Sequence, residues 1–179
     1  MSKFFYYFKR IMAILAVIVV AFLLQTSVFN HLELASVVPN LLVLLTAFAG
    51  FMNGRMEGMF VGFTAGFIAD LYFSEWFGMF ALIYLVIGFL NGSFRTAFFG
   101  DDIKLPLLYV AVSDLVYGII IYLCLYMPRE QYEFVYYFFN VMMPEAVYTR
   151  LITIIFYLPL IRLNQWIHKT EPRSTRSFG

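Results

Sequence analysis

Of the chain's 179 residues, 63% are hydrophobic, 21% aromatic and only 13% charged, against roughly 45–50% apolar and about 25% charged in a soluble domain, which excludes an ordinary soluble globular protein. Twelve Lys plus Arg against eleven Asp plus Glu give a net charge of +1, so the balance does not point to nucleic acid or another polyanion. A single cysteine, Cys124, excludes an internal disulfide, and His31 and His168 lie at opposite ends of the chain.

Backbone inside lipid must satisfy its own hydrogen bonds, so apolar runs of about 20 residues read as spanning helices. Six are expected, making an all-α polytopic membrane protein with one domain over 1–168. The first covers 11–29 without a charge and lacks the short apolar core and cleavage site of a secretory signal. The second covers 38–52, with Pro39 suited to a first helical turn, and is followed by a turn at Asn53, Gly54 and Arg55. The third covers 56–73 and carries Glu57 and Asp70 near its ends. The fourth covers 78–94, and the fifth covers 106–127 around a lone carboxylate, Asp114. The apolar stretch from Phe134 to Ile161 would be about 42 Å long as one helix, more than a hydrocarbon core of about 30 Å. Pro144 is therefore expected to divide it into an interfacial aromatic segment, 132–143, and a sixth span, 144–163, kinked near Pro159. A polar tail, 169–179, reads as a disordered cytoplasmic end.

Alternating these spans from an inner N-terminus places Lys3, Lys9, Arg10, Arg55, Arg95, Lys104, Arg162, Lys169, Arg173 and Arg176 on the cytoplasmic side. Glu33, Glu75, Arg129, Glu130 and Glu133 fall outside. This asymmetry predicts that both termini are cytoplasmic.

Gly58, Gly62 and Gly66 repeat every four residues in the third span, and Gly88 and Gly92 do so in the fourth. Such spacing clears a helix face for close backbone approach, and is expected to pack the bundle in preference to receiving a partner. Asp70, Asp114, Glu145 and Arg150 are ionisable groups within spans, where an unpaired charge costs at least ~2.5–3.5 kcal/mol; they are read as an internal polar cluster, with a substrate or proton pathway as the other reading. Asp70 and Arg150 lie at similar depths below the outer surface and are expected to pair, leaving Asp114 to Tyr117 or to protonation. Cys124 reads as a small buried packing residue. No paired-His metal motif, nucleophile elbow or phosphate loop occurs, so neither catalysis nor a cofactor is expected.

Pro39-Asn40-Leu41-Leu42, then Gly54, Arg55, Glu57 and Gly58, and further Gly62, Gly66, Asp70, Gly78, Ala81, Leu82 and Gly88, stand in an order that resembles the bacterial rod-shape-determining MreD family. Pro144-Glu145 followed by Tyr148-Thr149 is similar to the family's last-span pattern. Asn40 stands where many members carry Asp. The resemblance implies a non-enzymatic scaffold of the bacterial inner membrane that binds MreC, a single-helix membrane protein, and supports lateral peptidoglycan synthesis. MreB, RodA and a class B penicillin-binding protein are its implied wider partners. The lipid bilayer is its surroundings, and no small-molecule substrate is expected. The family also resembles the S-component fold of energy-coupling-factor transporters, so a vitamin-binding transporter subunit is the alternative. The first-helix Ala-x-x-x-Ala spacing of that class is absent from Ala13, Ala16 and Ala21.

Overall fold

The computed structural model describes residues 3–32, 37–73, 76–95, 104–127 and 133–169. Expectations for Glu33, Glu75, Arg129, Glu130, Tyr132 and the tail beyond Lys169 lie outside these residues. Among the described residues the chain is helical throughout, with no β-strand. Helix α1 (Lys3–Leu23) runs on through a π-helical turn, Leu24–Val28, and a 3-10 turn, Phe29–His31. Then come α2 (Leu41–Asn53), α3 (Arg55–Phe73), α4 (Met79–Ser93) and α5 (Lys104–Ile121), the last extended by a π-helical turn at Tyr122–Tyr126. The short α6 (Phe134–Tyr137), a π-helical turn at Phe138–Met142 and α7 (Met143–Lys169) complete the chain.

Helix α2 is the hub: it packs against α1, α3, α4, α5 and α7. Its residues from Leu41 to Phe48 are all buried, Leu42, Val43 and Thr46 completely. Its 13 residues make a helix only about 20 Å long, too short to cross a hydrocarbon core alone. Enclosure by neighbouring helices relaxes that demand, because the residues from Leu41 to Phe48 are buried against protein. The outer helices turn large apolar side chains outward, among them Val20 and Leu23 of α1, Phe63 and Leu71 of α3, Leu82 of α4 and Ile155 of α7. Among the described residues three helices are long and apolar enough to cross a membrane: Tyr7–His31, Leu105–Tyr126 and Phe134–Gln165.

Two expectations change. Pro144 does not break the last helix, which is continuous from Phe134 to Gln165. The π-helical turn at Phe138–Met142 lies just before the proline, and the altered hydrogen-bond register of such a turn accommodates a residue without an N–H. Cys124 is exposed instead of buried, so the thiol sits on the bundle's exterior as a small apolar group.

Two glycines make the turns around α3. Gly54 ends α2 at φ +100° and donates to the Gly50 carbonyl at 2.8 Å. Gly78, at φ +96°, precedes α4 with open space around it. Replacing Gly78 with Ala therefore tests backbone strain alone. We expect a loss of about 1–2 kcal/mol in unfolding free energy, measured by denaturant titration in detergent.

Candidate functional site

The first structural element of the site is the contact between α3 and α4. Along α3 the four-residue spacing of Gly58, Gly62 and Gly66 lays bare backbone against α4. A Cβ on Gly58 would overlap the Gly88 carbonyl, one on Gly62 the Tyr84 carbonyl, and one on Gly66 the Phe80 carbonyl. The fit is reciprocal: a Cβ on Gly88 would overlap the Gly58 carbonyl, and one on Gly92 would meet Arg55 Cα at 2.5 Å. Gly50 of α2 joins the same contact, since its Cβ would lie 2.6 Å from the Gly88 carbonyl. All five predicted glycines are thus spent inside the bundle.

The next residue in that spacing is Asp70. Its Oδ1 accepts from the Phe80 N–H at 3.0 Å and its Oδ2 from the Ala81 N–H at 2.9 Å. These are first-turn amides of α4, which lack partners within the helix, and the residue preceding the helix, Gly78, has no side chain to cap them. Asp70, 3% exposed, is a cap supplied by the neighbouring helix, its charge set against the positive end of the α4 dipole. Arg150, the expected partner, is exposed on α7, and among the described residues no ion pair joins the two. Depth matching failed because two backbone amides lay nearer to the carboxylate than any cation.

At the end of the bundle where α1 begins, Arg10 donates to Glu57 Oε2, and Asn53 Nδ2 donates to Glu57 Oε1 at 2.9 Å. Arg95 Nη1 reaches the Asn53 carbonyl at 3.1 Å. Glu57 therefore joins α1, α2 and α3, and Arg95 connects the end of α4 to the same point.

At the opposite end Asn40 caps α2. Its Oδ1 accepts from the Val43 N–H at 3.1 Å and from the Tyr84 hydroxyl at 3.3 Å, while its own N–H donates to Thr149 Oγ1 at 3.0 Å. Gln25 Oε1 takes the Leu42 N–H at 3.2 Å. Pro39 beside it is completely buried, and its missing N–H removes one donor that would need an acceptor there. Asn40 performs this work without a charge. Tyr148, one residue before Thr149, donates its hydroxyl to the Leu32 carbonyl at 2.9 Å and packs its ring against Phe29. Glu145 lies on the same side of α7, facing Asn40 and Asp114. Asp114, 4% exposed, lies alongside Glu145 and the Thr149 hydroxyl, which interacts with its carboxyl group. The expected bond to Tyr117 is absent; that ring packs on Tyr84 and Phe80 instead. Asp114 and Glu145 are brought together, whereas Asp70 and Arg150 stand apart from them.

The family model for the rod shape-determining protein MreD matches residues 6–167, nearly the whole chain. The chain belongs to the MreD family. No curated protein and no solved structure matches it significantly. The residues that carried the resemblance to MreD resolve into three jobs: close packing by Gly58, Gly62, Gly66 and Gly88; helix capping by Asn40 and Asp70; and tethering by Glu57, Tyr148 and Thr149. Gln25 and Tyr84 were missed. Gln25 could have been suspected as an uncharged polar residue in an apolar helix, but nothing local marks Tyr84 among 13 tyrosines.

Two expectations follow from this geometry. Gly66→Ala should lose well over 2 kcal/mol and leave the chain poorly folded when expressed alone, because its Cβ meets backbone that cannot step aside; thermal unfolding in detergent would measure it. Asp70→Ala should lose about 3 kcal/mol by stranding two buried N–H groups, while Arg150→Leu should be neutral or stabilising. A double-mutant cycle over Asp70 and Arg150 should give additive changes.

Proposed function

We propose that the chain is a non-catalytic membrane scaffold of the bacterial cell-elongation complex, held in the cytoplasmic membrane by six spans with both termini inside, and that it binds MreC in support of lateral peptidoglycan synthesis. Family membership assigns it a role in rod shape determination. The observation that supports a scaffold is the stiffness of its centre. The α3–α4 contact is backbone against backbone, and the hub helix is enclosed on all sides, so the exterior is presented on a frame that does not flex at side-chain scale. Because the glycine faces are used internally, the MreC helix would meet the bundle on an outward face covered by large apolar side chains. MreB, RodA and a class B penicillin-binding protein would follow through MreC.

Purification from native membranes with identification of the co-purifying proteins tests this reading. MreC is expected; an energising ATPase module in its place would favour the transporter alternative. Reporter fusions at Ser2 and Gly179 should both give cytoplasmic signals, and a periplasmic signal from either would remove at least one span. A variant defective only in MreC binding should carry its substitution on the exterior, with normal unfolding when expressed alone.

A further inference from the structure

At the end of the bundle opposite the chain termini, the turn after α1, α2, α3, α4, α5 and the last helix line an open cavity of about 360 Å³, within the range of small-molecule sites and far above the space one water needs. Gln25, Asn40, Phe80, Tyr84, Tyr117 and Glu145 line it. The three rings form one continuous wall: Tyr84 and Tyr117 have centroids 5.4 Å apart, and Phe80 and Tyr117 are stacked at 6.4 Å. Asp114 lies one helical turn from Tyr117 on the same face of α5 and faces Glu145; it is buried beside Thr149 and does not itself line the cavity. Among the described residues, no Lys, Arg or His lines the cavity. Two π-helical turns contribute to its lining, through Gln25 of Leu24–Val28 and Val141 of Phe138–Met142, and such turns collect at functional sites.

We propose that this cavity binds a small organic cation through a primary ammonium group. The site goes beyond the scaffold reading and does not depend on it. Glu145 is the one carboxylate among the described residues that line the cavity, with no cation beside it there, and a buried carboxylate without a counter-charge is costly. An ammonium supplies three N–H donors and one positive charge, while the ring wall offers a favourable face to that charge or to the methylenes beside it. An anion would meet the Glu145 carboxylate. A quaternary ammonium has no N–H to give Glu145. The described residues hold no group of three or more His, Cys, Asp or Glu side chains suited to a metal ion. The ammonium could come from a free amine or from the ethanolamine headgroup of a lipid entering at this end.

The test uses the purified full-length chain in an uncharged detergent and follows unfolding by tryptophan fluorescence. Putrescine or ethanolamine at about 10 mM should raise the midpoint by several degrees in a dose-dependent way, whereas butane-1,4-diol, ethylene glycol and KCl of equal ionic strength should not. Glu145→Gln should weaken the response about tenfold, while Glu133→Gln, an exposed carboxylate, should leave it unchanged. A second arm reconstitutes the chain in phosphatidylglycerol vesicles with or without phosphatidylethanolamine. Ethanolamine lipid retained in native mass spectra, displaced by putrescine and lost in Glu145→Gln, would identify the headgroup as the source. Response to amines alone would identify a free amine. Equal stabilisation by amines and diols, an undiminished response in Glu145→Gln, or no binding of either amine or ethanolamine lipid would overturn the proposal. The amine–diol comparison on the unmodified chain stands even if a variant fails to fold.

Discussion

The structure depends on one close approach, that of the α3 backbone to the α4 backbone. In lipid the hydrophobic effect does not press helices together, so van der Waals contact and hydrogen bonding must do so. A stripe of glycines lets two peptide surfaces meet with no side chain between them, and Asp70 closes the stripe by taking two amides of α4. The steric part prevents α4 from sliding along α3, and the hydrogen-bonded part fixes which turn of α4 faces Asp70. From that register follow the position of Tyr84 beside Asn40 and that of Asn91, whose amide reaches Ser113 of α5 at 2.7 Å. The α3–α4 pair thus sets the register of the helices beyond it.

The enclosed α2 helix shows what such a frame permits. A helix this short would be unstable between lipid tails, but here each end is finished by groups from elsewhere in the chain. Gln25, Thr149 and Tyr84 gather at the Asn40 end, and Arg95 and Glu57 at the Asn53 end. The largely apolar middle supplies packing while the polar groups at its ends supply direction.

Much of this was legible in the sequence because glycine spacing and apolar run length are local signals. The apolar stretches are helical, three of them long enough among the described residues to cross a membrane, and the close packing of Gly58, Gly62 and Gly66 agrees with their period. Asp70 was correctly placed on the same stripe, but its partner was sought among cations. The cue that would have redirected the search is Gly78: a helix that starts after glycine has no capping side chain of its own, so an acceptor must come from outside. Asp114 and Glu145 could not be joined from sequence, because their meeting depends on the packing of α5 against α7, which no periodicity encodes. The continuity of the last helix through Pro144 was likewise invisible, since a π-helical turn has no strong sequence signature.

The columns around α2 differ in length. Helix α4 has 15 residues and rises about 22 Å, whereas α7 has 27 and rises about 40 Å. A membrane of uniform thickness cannot match both flanks at once. Beside α4, where Leu82, Phe89 and Leu90 face outward, the surrounding lipid must thin or the whole bundle must lean, each ångström of mismatch costing a fraction of a kcal/mol. The protein is therefore a wedge in its bilayer, with a direction in the membrane plane that neighbouring lipids and proteins can sense without touching its core.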